Sequence, residues 1–216
     1  MNIILFGPPG VGKGTQAANM VKDFNLHKIS SGDLLRDEIK KNTDLSKIIK
    51  NKIDQGLLVP DDIISDLIIK ILSKKEYFNR LIFDGYPRNL NQAKNLDMLV
   101  QKHDQKISCV LGLNADKESI VKRILGRQVC VKCGLTFNKY FYPSTKEMHD
   151  CNSKHLVTRS DDNEKIIEKR LKEYTNKTLP ILNYYLDQKI LHKIDGTKKI
   201  NQVYKEIRDI IASLET

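Results

Sequence analysis

The feature that most constrains this chain lies at its start. A mostly apolar run, Asn2 to Phe6, leads without a break into Gly7-Pro8-Pro9-Gly10-Val11-Gly12-Lys13-Gly14-Thr15. The run reads as a buried strand, and the residues from Thr15 to Phe24 read as a helix. Between them the glycines permit a backbone whose N–H groups turn inward around an anion. The helix that follows adds its positive end. Lys13 can then reach the outer phosphates of a nucleoside triphosphate as a point charge. A tight glycine turn with a solvated lysine is the plainer alternative. The strand before it and the helix after it speak against that.

The usual phosphate-loop pattern places a hydroxyl directly after the lysine. Here Gly14 follows Lys13 and the hydroxyl comes one place later, at Thr15, which weakens Thr15 as a magnesium ligand. The chain has no Asn-Lys-x-Asp run of the kind that reads guanine, which counts against a GTPase.

Further short apolar runs predict a strand ending near Ile29, one from Leu81 to Phe83 that stops at Asp84, one from Ile107 to Leu113 and one from Ile190 to Ile194. Helices are expected after a Ser30/Ser31 cap, over 43–54, from Asp61 and Asp62 onward, over 89–102, 116–125 and 198–214, and from Asp161 to near Asp187 with a bend or break at Pro180. Strands alternating with helices imply an α/β fold with a parallel sheet covered on both faces. Residues 127–158 lose helical periodicity and gather Cys, Tyr, Phe, Pro and Gly; so long a stretch should form a small subdomain. The 216 residues suit one such domain with an insertion. No apolar run approaches the ~20 residues a bilayer span needs. The apolar start is too short for a signal-peptide core, so the expected compartment is the cytoplasm.

The formal net charge is +10. It fits nucleic acid, polyanionic small substrates, or only a lysine-rich solvated surface. Of the 37 basic residues, 8 are Arg and the remaining 29 are Lys. Where lysine is the habitual cation, each Arg is informative, because its guanidinium grips phosphate in a bidentate way that lysine cannot. Six of the eight, Arg36, Arg88, Arg123, Arg127, Arg159 and Arg170, fall in the motifs that follow; Arg80 and Arg208 do not.

The run GPPGVGKGT resembles the phosphate loop of adenylate kinases. Ser30-Ser31-Gly32-Asp33-Leu34-Leu35-Arg36 looks like that family's monophosphate motif, and Asp84-Gly85-Tyr86-Pro87-Arg88 with Gln92 looks like its strand-three motif. Arg123, Arg127, Thr158-Arg159-Ser160-Asp161-Asp162, Arg170 and Asp195-Gly196-Thr197 follow in the family's order. The resemblance spans nearly the whole chain, in the long form whose lid sometimes holds zinc. It implies a P-loop kinase fold: a five-stranded parallel sheet with helices on both faces, a helical monophosphate-binding part and an inserted lid. The parts fall at 1–29 (core with the loop), 30–60 (monophosphate part), 61–126 (core), 127–160 (lid) and 161–216 (core).

The activity it implies is reversible transfer of a phosphoryl group from ATP to AMP, giving two ADP, with Mg2+ accompanying the nucleotide. Gly10, Val11, Gly12, Lys13, Gly14 and Thr15 would hold the triphosphate with Arg123 and Arg127. Thr136, Phe137 and the backbone of Lys198 would lie beside its adenosine. Arg36 and Arg88 would hold the monophosphate, and Ser31 and Gln92 its adenine. Leu57, Leu58, Val59, Gly85, Tyr86 and Pro87 would line that pocket, and Arg159 and Arg170 would meet the transferring group. Asp84 can reach magnesium through water, or cap a turn. Asp33 reads first as a cap, as do Asp161 and Asp162, to which the resemblance adds the orienting of lid arginines. Lys13 and Arg88 are expected to be solvated in the free protein. The acceptor is an ionised phosphate oxygen, so positioning and charge stabilisation suffice without a general base. A kinase for UMP, CMP or GMP, a P-loop ATPase or switch, and a zinc-finger nucleic-acid binder are the rival readings. The expected partners are nucleotides, with no nucleic acid or membrane, and the expected state is a monomer.

Cys109 reads as a core residue. Cys130-x-x-Cys133 is half of a tetrahedral zinc site, and with Cys151 it favours metal over disulfides. The family's fourth ligand place holds Lys154, which has no lone pair when protonated. His155, three residues beyond Cys151's neighbour Asn152, is the favoured substitute, with His149 and Asp150 as alternatives; a metal-free lid with reduced cysteines is the competing reading.

Overall fold

In the computed structural model, residues 1–145 and 149–215 are described; residues 146–148 of the expected lid segment, and Thr216, lie outside them. The strands, in chain order, are β1 (Asn2–Phe6), β2 (His27–Ser30), β3 (Leu81–Asp84), β4 (Ile107–Asn114), β5 (Arg127–Cys130), β6 (Thr136–Asn138), β7 (Leu156–Val157) and β8 (Leu191–Asp195). The helices are α1 (Lys13–Phe24), α2 (Ser31–Ile39), α3 (Asp44–Asp54), α4 (Asp61–Leu72), α5 (Leu90–Lys102), α6 (Lys117–Leu125), α7 (Glu164–Glu173), α8 (Ile181–Asp187) and α9 (Ile200–Glu215). Five strands make one parallel sheet in the order β2-β3-β1-β4-β8. The expected fold class is the observed one. None of the helices among the described residues is long and apolar enough to cross a membrane.

The two-residue period of a strand divides the core. Ile4 and Phe6 of β1 face one side with Phe83 and Val110, against Ile68 of α4, Leu96 of α5 and Tyr185 of α8. Ile3 and Leu5 face the other side with Ile82 and Leu111, against Met20 of α1 and Ile207 of α9. Cys109 sits in that second core, fully buried, and burial pushes its thiol up to about 12. Each large apolar side chain so buried stabilises by roughly 1.5–3 kcal/mol, which makes the sheet a rigid frame for its loops. β1 and β3 run in register with Leu5 beside Asp84, so the glycine-rich loop and Asp84 emerge together at the carboxyl edge.

Three local readings change. α7 begins at Glu164 and its cap is Asn163, whose side chain accepts from the Ile166 N–H, so Asp161 and Asp162 precede the helix instead of capping it. The cap of α2 is Ser30, one of the two expected, accepting from the Asp33 N–H, so Asp33 is not the cap and its carboxylate is left for other partners. The break expected at Pro180 begins earlier, with a wide π-turn over Tyr174–Thr178 between α7 and α8. The cysteine-bearing segment carries its own antiparallel sheet, in the order β6-β5-β7.

Candidate nucleotide-binding cleft

The loop after β1 takes its shape from glycine. Gly12 precedes α1 with φ 110°, a left-handed conformation that strains other residues. Gly10 has φ 82°, and a Cβ there would meet Ile124 Cγ1 of α6 at 2.5 Å. Lys13 is therefore the first residue of α1, two earlier than expected, and its side chain folds back over the loop. Its Nζ donates to Gly7 O at 2.7 Å and Pro8 O at 2.9 Å. Arg123 of α6 braces the same loop from outside, its Nη1 donating to Val11 O at 3.1 Å and Gly196 O at 2.8 Å. Thr15 follows Gly14 on the first turn of α1, and a Cβ at Gly14 would lie 3.7 Å from Asp84 Oδ2, so the Asp84 carboxylate faces this helix start.

Beyond Asp84 lies a pocket lined by Ser31, Arg36, Leu57, Leu58, Val59, Gly85, Tyr86, Arg88, Gln92 and Arg170. Pro87, joined to Tyr86 by a cis peptide, and Arg159 are not in its lining. Ser31 Oγ donates to Gly85 O at 2.5 Å and accepts from Arg88 Nη2 at 3.2 Å. Arg88 Nε donates to Gly85 O at 2.6 Å. Gln92 is buried, not on an exposed helix face.

Lys13 and Arg88 are thus half-buried and tied to main-chain oxygens, against the expectation that they stand solvated. Burial brings the Lys13 amine down to about 8, opposed by Asp84 and assisted by Arg88, Arg170 and Arg127. Burial, then the charge of Arg170, brings Arg88 down to about 10. Arg159 is lowered to about 10 by burial and by Arg127 and Arg36. The cations repel one another around a space that an anion would neutralise.

Carboxylates hold these arginines in place. Asp162, whose side chain is fully buried, takes Arg127 in a two-pronged pair, Nε donating to Oδ2 at 2.7 Å and Nη2 to Oδ1. Asp161 Oδ2 accepts from Arg170 Nη1 at 2.7 Å. Asp33 pairs with Arg36 at 2.6 Å and approaches Arg159 at 3.9 Å. Burial would raise the Asp33 carboxyl, but the Arg36 hydrogen bond and charge bring it down to about 2. In the sequence alone these three acids read first as caps. Only their partners, contributed by distant elements, distinguish the roles.

In the second sheet the expected adenosine neighbours separate. Thr136 is exposed, whereas Phe137 is buried, with its ring 4.9 Å from that of His149 and stacked on Tyr142. Its ring therefore belongs to the packing of this sheet. Phe141, which sequence reading missed, is exposed and lies 6.0 Å from the Arg123 guanidinium and 5.6 Å from Lys122 Nζ. The Lys198 side chain is turned to Glu206 at 2.9 Å.

Cys130, Cys133, Cys151 and His149 bring their ligand atoms within 4.8 Å of one another. His155 is not among them. After Cys151 the chain winds into a short 3-10 turn, Ser153–His155, and the His155 carbonyl accepts from the Val131 N–H at 2.9 Å, which fixes that stretch beside β5. His149 takes the fourth place from the other side of Cys151. Its Nδ1 shares a hydrogen bond with Ser144 Oγ at 3.1 Å, and its Nε2 is buried. Burial would raise the Cys130 thiol, but hydrogen bonds from the backbone of Cys133 and Lys132 and from His149 bring it to about 6. Three thiols and an imidazole held at Nδ1 by Ser144 make a set of four donors of the kind that fits zinc.

A family model described as adenylate kinase matches residues 5–190. A protein of Pelagibacter ubique named adenylate kinase is 44% identical over 98% of this chain and 99% of its own length. Another of that name from Chloroherpeton thalassium is 43% identical over 99% of both chains. A third, from Thermoanaerobacter sp., is 39% identical over 96% of both.

Proposed function

The chain belongs to the adenylate kinase family and transfers a phosphoryl group from ATP to AMP to give two ADP, and from that premise we propose how its residues divide the work. The observation that carries the assignment is the convergence of Lys13, Arg36, Arg88, Arg127, Arg159 and Arg170 on one space between the loop and the pocket. The backbone of Gly10 to Thr15 holds the ATP phosphates at the start of α1, with Lys13 and Arg123. The pocket takes AMP, its phosphate on Arg36 and Arg88 and its adenine against Ser31, Gln92 and the backbone of 57–59. Arg127, Arg159 and Arg170 close on the transferring group. Asp161, Asp162 and Asp33 hold their guanidiniums aligned until phosphate displaces the pairs. In-line transfer then needs fixed positive charge and the exclusion of water, not a base.

Magnesium, which accompanies the nucleotide in adenylate kinases, would neutralise phosphate charge beside Asp84. Zinc bound to Cys130, Cys133, His149 and Cys151 would cross-link the 127–160 segment, whose apolar core is small. We read that segment as the lid, 30–60 as the AMP-binding part, and 1–29, 61–126 and 161–216 as the core. The donor loop and acceptor pocket both come from one chain, which supports a working monomer. The use of the arginines in the cleft favours nucleotides over nucleic acid as partners, and the unpaired cysteines suit a reducing cytoplasm.

The Lys13 role has a signature in pH. With its amine lowered to about 8 by burial, Lys13 loses its charge as pH rises through that value. The kcat/KM for ATP, which reports the free enzyme, should therefore fall above about pH 8. Lys13→Arg should remove that limb of the profile whatever its absolute rate. A wild-type profile that stays flat to pH 10 would contradict the assignment.

A further inference from the structure

Gln92 is hydrogen-bonded at both ends of its amide before any base arrives. Its Oε1 accepts from the Arg88 backbone N–H at 2.7 Å, and its Nε2 donates to Asp61 Oδ1 at 2.7 Å. The first partner can only donate and a carboxylate can only accept, so one orientation of the amide satisfies both. One hydrogen on Nε2 and one lone pair on Oε1 remain for the pocket. Asp61 is itself held: Asn89 Nδ2 donates to its Oδ1 at 2.8 Å and its Oδ2 at 3.1 Å. Asn89 cannot turn over, because its Oδ1 accepts from the Gln92 backbone N–H at 2.8 Å. Two side-chain amides thus point their NH2 groups at one carboxylate, on the first residue of α4.

The fixed orientation has a chemical consequence. Adenine offers an acceptor at N1 beside a donor at N6, matching an amide NH2 and C=O in one order. Hypoxanthine and guanine carry a donor at N1 beside an acceptor at O6, matching the same amide only after it turns over. We propose that Asp61 is the specificity-determining residue that pins Gln92 in the adenine-reading orientation and so rejects 6-oxopurine monophosphates. This rests on the reading that Gln92 faces the adenine of AMP. Asp61 is a positioning residue: it acts through Gln92.

The plainer role for Asp61 is a carboxylate favourably placed at a helix start. The two roles separate in the ratio of kcat/KM for AMP to that for IMP, whose base differs only at the edge in question. Asp61→Ala removes the carboxylate that accepts from Gln92 Nε2 and leaves only the Arg88 N–H to favour that Gln92 orientation. The AMP:IMP ratio should fall by about tenfold, the equivalent of about 1.4 kcal/mol. The change should come mainly through KM for AMP, with kcat at saturating AMP kept within about twofold. If Asp61→Ala is not folded by thermal melting, Asp61→Ser, whose hydroxyl donates or accepts, is measured with the same expectation. A folded variant with the wild-type ratio, even if slower with both nucleotides, would overturn the proposal. Gln92→Ala separates the two levels. Loss of discrimination in Gln92→Ala but not in Asp61→Ala rejects the role of Asp61 alone. Full discrimination in Gln92→Ala rejects the reading of Gln92 itself.

Discussion

Lys13→Ala should lower kcat by about a hundredfold or more, since removing one preorganised charge from a transferring group typically costs ~3 kcal/mol. Its melting temperature should stay level or rise. In the free protein Lys13 is held at a desolvated place beside Arg88, Arg170 and Arg127, and its lowered basicity records that it sits there at a cost. Removing it relieves repulsion and leaves the apolar cores untouched. Arg88→Ala should behave alike, because Arg88 is also lowered by burial and by Arg170. Arg88→Lys should restore little, as a point charge cannot replace the fork. Steady-state rates beside thermal melts check both halves. A folded Lys13→Ala with near-normal turnover refutes its role, and one that melts far lower refutes the account of its strain.

Removing zinc should act in the opposite sense, on stability more than on rate. Protein purified without chelator should contain about one zinc per chain. A site whose metal stands at a thousand times its Kd contributes about 4 kcal/mol. For a chain of this size that is a melting shift of roughly 8–16 °C. The loss should fall on the 127–160 segment, where the cores of the main sheet do not reach, while turnover at low temperature changes less. His149→Ala should lose the metal and His155→Ala should keep it. Metal analysis of the two variants decides the fourth ligand; zinc retained in full by His149→Ala contradicts the site described, and a wild type free of zinc removes it.

Much of the fold was legible because its signals are local. The run Ile3-Ile4-Leu5-Phe6 needs two buried faces, and Gly10 and Gly12 need the backbone freedom of a phosphate loop. Caps were legible in kind but not in place. Asp161, Asp162 and Asn163 are all plausible starts for α7, and only the contact of Asp162 with Arg127, 35 positions away, shows which acids are engaged elsewhere. The same limit hid Asp61, which looked like an ordinary acidic helix start until Gln92 and Asn89 were brought to it. His149 and His155 flank Cys151 and both have ligand chemistry. The 3-10 turn that ties His155 to Val131 is a tertiary fact, so spacing alone favoured the wrong side. An aromatic in such a segment can serve a ligand or a core equally well in sequence, and only its contact with His149 shows that the Phe137 ring packs within the small sheet.

The most direct test of the central claim, that one cleft joins an ATP site to an AMP-reading pocket and keeps water out, is a product count with Mg–ATP and each acceptor in turn. With AMP, ATP and AMP should disappear in equal amounts and two ADP should appear for each pair. With UMP, CMP or GMP the rate should be lower by about tenfold or more, as expected when a bidentate base contact is mismatched, and with no acceptor almost no inorganic phosphate should form. Comparable turnover with UMP or CMP, or steady release of phosphate from ATP alone, would contradict it.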